Sequence, residues 1–555
     1  MLNGFVPWPR KNVETYIEKG YWQNLTINEA LETWVTKFAE RPALAYEGKE
    51  ITFHQMDEYA TRIAYQMASL GMKTYDRIVM QLFNIPELVY LFYACMKIGA
   101  IPICSLPTHR WAEISYLANQ SGACAHAIPA GTVKDFDFEE FADKIRREIP
   151  SMKIALTAGK SVRPDMYSIN ELMEMDVDLV TARAKLKNYR PDPMAPALFQ
   201  LSGGTTGVPK IIPRTHNDYY YNSKCVANAL DYDINTRTLI AIPLMHNAPL
   251  VNGLLPVHSC GGTIVLTASY APEAILQAIA ENKANLLTLV PVLIHRLMDL
   301  PAEVLDRYDI SSLNHFMGSW NPDDQVIPEF IDRFHCDGVQ TYGMAEGLIC
   351  WSRWSDPPDI RHGTDGRPVS EADEVKVVDP ETHEAVAPGQ IGECWCRGPY
   401  TIRGYYKAPE RNKEAFISDG YYRTGDLVIL DSNGNITWRG RIKDCIDRGG
   451  EKINAEEVEN CILKFSKVDS VAVVGMPDKE YGERICAFIV SKPDVNFTLE
   501  ELQDFLIEEM HIARFKVPER LEFIDELPIT KIGKYEKKSL REMVTNKLKS
   551  EGKIT

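Results

Sequence analysis

Residues 262–291 read GTIVLTASYAPEAILQAIAENKANLLTLVP. The run GTIVLTA (262–268) is short, apolar and β-branched, as a buried strand is. EAILQAIAENKA (273–284) repeats its apolar residues at helical spacing, and NLLTLVP (285–291) is a second apolar run. Strand, amphipathic helix, strand is the unit of layered α/β proteins with a largely parallel sheet. The alternation extends outward through RIVMQLF (77–83), ELVYLFYACMKIGA (87–100), IPICSL (101–106) and RTLIAIPL (237–244).

Beyond residue 365 the texture changes. GRPVSEADEVKVVD (366–379), GQIGECWCRGP (389–399) and GYYRTGDLVILDSNGNITWRGR (420–441) read as short strands joined by Gly, Asn and Asp turns. Asp431-Ser432-Asn433-Gly434-Asn435 is expected to form a hairpin turn, so residues 365–440 predict a small β-rich subdomain. After Arg441 the α/β pattern resumes. AEEVENCILKF (455–465) is helical, VDSVAVVGMP (468–477) and ERICAFIVS (483–491) are strands, and TLEELQDFLIEEM (498–510) is a helix opened by a capping pattern. The expected division is a large N-terminal domain of layered α/β sheets over 1–441 and a small α+β C-terminal domain over 442–555.

Composition excludes several classes. The 555 residues carry a formal charge of −16, against the basic face that a nucleic-acid binder shows. No apolar run is long enough to span a bilayer, and the N-terminus MLNGFVPWPRK lacks the apolar core of a signal peptide. The twelve cysteines are scattered, with Cys394-Trp395-Cys396 the one close pair; zinc and a disulfide framework are not expected, and a reducing cytoplasm is.

Five segments carry chemistry. In FQLSGGTTGVPKIIPR (199–214), Gly203, Gly204 and Gly207 let the backbone turn tightly around an anion. Ser202, Thr205 and Thr206 add hydroxyls, and Lys210 adds a cation. Lys210 follows Pro209 and precedes Ile211, so the spacing is not that of a Walker loop. In QTYGMAEG (340–347), Tyr342 offers a flat face for a base, Gly343 permits close approach and Glu346 offers a hard oxygen for Mg²⁺. YRTGD (422–426) places Asp426 after a tight turn, suited to ribose hydroxyls. GRIKDCIDRGGEKI (440–453) mixes charges with a Gly449-Gly450 pair at the domain boundary, as a hinge does. LPITKIGK (527–534) ends in a Gly-Lys step that can deliver the Lys534 ammonium to developing negative charge.

In this order and spacing the five segments resemble the acyl-adenylate-forming superfamily, which includes acyl-CoA ligases, luciferases and the adenylation domains of peptide synthetases. The resemblance spans essentially the whole chain. FVPWP (5–9) and YIEKGYWQNLTI (16–27) narrow it: they look like the N-terminus of the stand-alone enzymes that adenylate 2,3-dihydroxybenzoate or salicylate for siderophore assembly. GMAEGL (343–348) and Met245-His246-Asn247 agree with that subfamily.

The resemblance implies ATP and Mg²⁺ as cofactors and two half-reactions, acid adenylation and then transfer to a phosphopantetheine thiol. It implies that Lys534 bridges the acid carboxylate and the α-phosphate, and that the 202–210 loop covers the β- and γ-phosphates. Glu346, with Thr205, is implied to hold Mg²⁺. Tyr342 would stack on adenine beside Gly343, and Asp426 with Arg441 would take the ribose. His246 and Asn247 are implied at the acid, Asn247 facing its ortho hydroxyl, in a site that Gly318, Ser319 and Thr341 also line. Rotation about Lys443 is implied between half-reactions, withdrawing Lys534 and presenting Gly449-Gly450 to the thiol.

The chain departs from the subfamily in three places. Ala248 stands where a Tyr is usual, Asn252 where a small Ser or Cys is usual, and Gly318-Ser319-Trp320 where Gly-Gly-Ala is usual. Trp320 and Asn252 are expected to change the shape and polarity of the acid site, which opens it to another hydroxybenzoate or a hydroxypicolinate-like acid. The chain ends about 20 residues past Lys534, so the expected acceptor is a separate aryl carrier protein, or free coenzyme A. An aryl-CoA ligase is the alternative enzyme, and a nucleotide-binding scaffold without chemistry is the alternative class.

Overall fold

The computed structural model describes residues 2–554 apart from 162, 203–208, 321–325, 449–450, 480, 494, 511 and 531–534. The chain forms two compact units: Met1–Glu374 with Cys396–Tyr422, and Val375–Trp395 with Arg423–Thr555. Val375–Trp395 and the strands up to Arg441 thus group by contacts with the C-terminal residues.

In the larger unit, the opening stretch forms as its pattern predicts. Thr263–Leu266 and Leu286–Leu289 are strands, and Pro272–Asn282 is the helix between them. Pro272 starts that helix where a missing N–H costs nothing, and Lys283 ends it in a left-handed conformation (φ 50°). Its buried Ile275, Leu276 and Ile279 pack in one cluster with Val265 and Leu287. These strands belong to a nine-stranded sheet. Its central run is His315–Gly318, Leu286–Leu289, Arg237–Ile240, Thr263–Leu266 and Pro42–Tyr46, all pairing in parallel.

A second sheet of seven strands is ordered Ile211–Thr215, Pro196–Leu201, Ile101–Cys104, Arg77–Met80, Ala125–Pro129, Ile154–Ala158, Tyr167–Ser168. The helix Pro86–Ile98, apolar nearly all round, is buried from Leu88 to Ile98 and joins a core shared with residues of both sheets. Gly99 closes it at φ 64°. One charge is enclosed with it: Lys97 contacts Asp57 on the helix Phe53–Ser69 at 2.5 Å, and Arg183 reaches the other oxygen at 2.9 Å. Burial pushes the Asp57 pKa up, but the Lys97 and Arg183 charges outweigh it and hold the carboxyl below its ordinary value.

In the smaller unit, Tyr422–Leu430 and Ile436–Arg441 pair antiparallel across the expected turn, where Gly434 takes φ 84°. The strands Val468–Asp478 and Gly482–Ser491 lead a five-stranded sheet. Their near-continuous apolar sequence reflects burial on both faces. Val471, Val473, Ile485 and Ile489 meet Val458, Leu502 and Leu506, whereas Val474, Cys486 and Phe488 meet Leu540 and Val544. The Thr498 capping box with Glu501 opens the helix Leu499–Glu508 as its sequence predicts.

Candidate active site

The neck of the 202–210 loop is built by a hairpin. Pro196–Leu201 and Ile211–Thr215 pair antiparallel, and two further bonds close the neck. Ser202 N–H donates to the Lys210 carbonyl at 3.0 Å, and Lys210 N–H donates to Ser202 Oγ at 3.0 Å. The Ser202 hydroxyl proton is left to donate elsewhere. Gly203, Gly204, Thr205, Thr206 and Gly207 lie outside the described residues.

Lys210 and Glu346 converge on a tyrosine that motif reading did not single out. Lys210 Nζ lies 4.7 Å from the centre of the Tyr405 ring and 3.4 Å from its hydroxyl. The Tyr405 hydroxyl donates to Glu346 Oε1 at 2.8 Å and lies 3.0 Å from the Tyr422 hydroxyl. Burial, and then the Glu346 charge, push the Tyr405 pKa well up, so it remains a donor. Glu346 itself is 7% exposed.

The Glu346 turn is braced from below. Its carbonyl accepts from Ile402 N–H at 2.7 Å, and the Ala345 carbonyl accepts from Arg214 at 2.9 Å. Arg214 is fully buried and pairs with Asp218 at 2.8 Å. Gly347 holds φ 137°, and a Cβ there would lie 2.4 Å from Thr401 Cα, so glycine is required. Tyr342 is buried in the strand Asp337–Met344, and the Thr341 hydroxyl is committed to the Cys350 carbonyl at 2.7 Å. Gly343 sits where a Cβ would press on Ile349 Cδ1 at 2.7 Å.

The acid-site candidates follow the carboxyl end of the parallel strand Arg237–Ile240, the edge at which open α/β sheets take ligands. His246 caps the helical turn Asn247–Pro249, its Nδ1 accepting from Ala248 N–H at 3.4 Å. The chain then widens into a π-helix, Leu250–Leu254, before Leu255–Cys260 resumes α geometry. Such π turns recur at functional sites. Asn247 accepts from the Tyr219 hydroxyl at 3.1 Å, and Asn252 accepts from the Trp351 indole N–H at 3.2 Å. Both asparagines are buried.

Gly318 is set by its neighbour strand: a Cβ there would lie 2.6 Å from the Leu289 carbonyl oxygen. Ser319 is exposed. Trp320 is buried beside it. Its ring packs 5.3 Å from Phe316 in the core, and its N–H donates to the His362 carbonyl at 3.3 Å.

In the smaller unit, Asp426 and Arg441 are cross-strand partners joined at 2.8 Å. Thr424 shapes the turn before them, donating to the Cys394 carbonyl and accepting from Asp426 N–H. Lys443 lies in the 3₁₀ turn Ile442–Asp444, next to the Asp444–Arg541 ion pair. Gly449, Gly450 and Lys534 lie outside the described residues.

Among the described residues no three His, Cys, Asp or Glu side chains gather into a metal cage. A single buried carboxylate with one oxygen held by a phenol fits Mg²⁺ instead, which keeps most of its shell as water and substrate phosphate. Nor is any helix among the described residues long and apolar enough to cross a membrane. Tyr405, Tyr219 and Trp351 lie outside the five segments, whereas Tyr422 and Arg214 stand at the ends of two of them with no role read for them.

Known proteins match this arrangement along the whole chain. The AMP-binding enzyme family matches residues 31–406, and the AMP-binding enzyme C-terminal domain matches 457–534. A salicylyl-CoA synthase / salicylate adenylyltransferase from a Streptomyces species is 38% identical over 552 residues, 99% of each chain. A 2,3-dihydroxybenzoate-AMP ligase from Bacillus subtilis (strain 168) is 38% identical over 550 residues, again 99% of each. The apo structure of Mycobacterium smegmatis MbtA shares 32% identity at a TM-score of 0.71, covering 97% of this chain and 98% of that one. The chain belongs to the AMP-binding enzyme family.

Proposed function

We propose that this protein is an aryl acid:AMP ligase. A carboxylate oxygen of the acid attacks the α-phosphorus of ATP, the bond to pyrophosphate breaks, and aryl-AMP forms. A thiolate then attacks the acyl carbon and AMP leaves. The observation that carries this reading is full-length similarity to two enzymes named for 2-hydroxylated aryl acids, combined with Asn247 held in place beside His246.

The first step concentrates charge on phosphate oxygens, so this chain's task is electrostatic. Lys210 and the 202–207 backbone hold the β- and γ-phosphates, and Lys534 stabilises charge between carboxylate and α-phosphate. Tyr342 and Gly343 receive the adenine, and Asp426, oriented by Arg441, accepts the ribose hydroxyls. Glu346, aligned by Tyr405, and Thr205 would hold Mg²⁺, which when bound would neutralise phosphate charge. His246 and Asn247 orient the acid, with Gly318, Ser319 and Thr341 nearby in the same site. The boundary at 441/442, with Lys443 as pivot and Gly449-Gly450 on the thiol path, serves the second step.

The acceptor is the phosphopantetheine arm of a separate aryl carrier protein, and the setting is cytoplasmic synthesis of a siderophore or related metabolite. A second reading, an aryl-CoA ligase, draws on the relative named as a salicylyl-CoA synthase. Pyrophosphate exchange across benzoates and heteroaromatic acids tests the first step; exchange with none of them overturns the reading. Supplying coenzyme A against a pantetheinylated carrier to preformed aryl-AMP separates the two acceptors.

A further inference from the structure

The N-terminal segment, residues 4–22, grips the stretch 399–407 along one side. The Trp22 indole N–H donates to the Pro399 carbonyl at 3.0 Å. The Arg403 guanidinium lies 5.6 Å from the centre of the Trp8 ring, and Lys407 N–H donates to the Gly4 carbonyl at 3.0 Å. Val6 closes on Gly404, where a Cβ would lie 2.7 Å from Val6 Cγ2. The helix Arg10–Glu18 between these contacts buries none of its own residues, so the segment is fixed by its flanks. Trp22 is 1% exposed, with the Trp8 and Tyr16 ring centres 5.2 and 5.0 Å from its own. Burial of apolar surface is non-directional, whereas an enclosed indole N–H on one carbonyl fixes a position.

The other contacts of the same stretch run to Glu346 and its turn. Ile402 N–H donates to the Glu346 carbonyl at 2.7 Å, and the Tyr405 hydroxyl donates to Glu346 Oε1 at 2.8 Å. The Tyr400 hydroxyl accepts from Ile349 N–H at 3.3 Å and donates to the buried Asp373 carboxylate. Thr401 stands against Gly347, where a Cβ would meet its Cα at 2.4 Å. Contacts therefore interleave along one backbone. Pro399, Arg403, Gly404 and Lys407 meet the N-terminal segment; Tyr400, Thr401, Ile402 and Tyr405 meet residues 346–349. A shift of the first set carries the second with it. All of these residues belong to one compact unit.

We propose that Trp22 is a positioning residue for Mg²⁺ handling: with Trp8 and Gly4 it clamps residues 399–407, and through Tyr405 and Ile402 that clamp sets the Glu346 carboxylate. The inference rests on the reading above that Glu346 is the Mg²⁺ ligand. It gives the N-terminal FVPWP and GYW motifs a task in the first half-reaction although no residue of theirs need touch a substrate.

The test uses the full-length enzyme. Trp22→Phe keeps an aromatic ring beside Trp8 and Tyr16 and removes the N–H. Mn²⁺ affinity in the presence of ATP, read by electron paramagnetic resonance, should fall about 3- to 10-fold. The Mg²⁺ concentration for half-maximal pyrophosphate exchange should rise by the same factor, while kcat at saturating Mg²⁺ and the KM of the acid stay within about twofold of the parent. A Trp22 that only supports the fold would lower the unfolding midpoint and leave Mn²⁺ affinity where it was. Because the route runs through Tyr405, Trp22→Phe/Tyr405→Phe should lose no more Mn²⁺ affinity than Tyr405→Phe alone. Arg403→Lys, which gives up the planar stack on Trp8, is read in the same way should Trp22→Phe fail to fold. Unchanged Mn²⁺ affinity in the folded clamp variant, or losses that add in the double variant, overturn this inference while leaving Glu346 in place. Mn²⁺ affinity unmoved by Glu346→Gln overturns the reading of Glu346 beneath it.

Discussion

Glu346 illustrates how much of a side chain's placement comes from its neighbours. Its carboxylate is buried, one oxygen is held by Tyr405, and its turn is pinned by Arg214 and by the absence of a Cβ at Gly347. Removing the phenol hydroxyl in Tyr405→Phe should leave the fold intact and weaken metal handling by about 10-fold. The measurements are the Mg²⁺ dependence of exchange and Mn²⁺ binding read by electron paramagnetic resonance. Unchanged Mn²⁺ affinity would show that the hydroxyl does not align the carboxylate. In the proposed mechanism the charge of Lys534 matters chiefly in the transition state. Lys534→Ala should cut the kcat of exchange by roughly 10²–10³-fold while ATP binding changes little. Activity within about threefold of the parent would remove Lys534 from the mechanism.

At the scale of elements, the buried helix Pro86–Ile98 carries a charge into the core and depends on Asp57 to hold it there. Asp57→Asn leaves Lys97 enclosed without its counter-charge and should cost about 3–5 kcal/mol of stability in denaturant unfolding. The folded pKa of Asp57 is depressed, so its contribution is present above the unfolded value near ~3.9 and is lost as pH falls through the folded pKa. The asparagine variant should therefore lose less stability on acidification below about pH 4 than the parent does. Identical acid limbs would mean the carboxylate is not stabilised by folding. The π turn at Leu250–Leu254 is the second element where local geometry matters, because it changes which side chains share a face.

For the whole molecule, Lys210, Glu346, His246 and Asn247 belong to one compact unit and the Asp426–Arg441 pair to the other. The proposed pivot at Lys443 would give Gly449 and Gly450 a role confined to the second half-reaction. Gly450→Leu should spare exchange and depress thioester formation, compared in single-turnover assays of each step. Equal loss in both would mean the glycines support the fold instead.

The sequence by itself determined the α/β alternation, the β-rich interlude, the capped helices and the order of the five motifs. These are local: apolar spacing of two or 3.6 residues, turn chemistry and contiguous spans of chain carry them. The pairing of Asp426 with Arg441 was foreshadowed because both lie on one hairpin. Tertiary structure alone decided that Tyr405 meets Glu346, that Trp351 meets Asn252, and that Trp320 donates to the His362 carbonyl. Those partners lie 59, 99 and 42 positions apart in the chain. Strand order brings them together, and strand order is settled by burial of the whole core, not by any segment's own pattern.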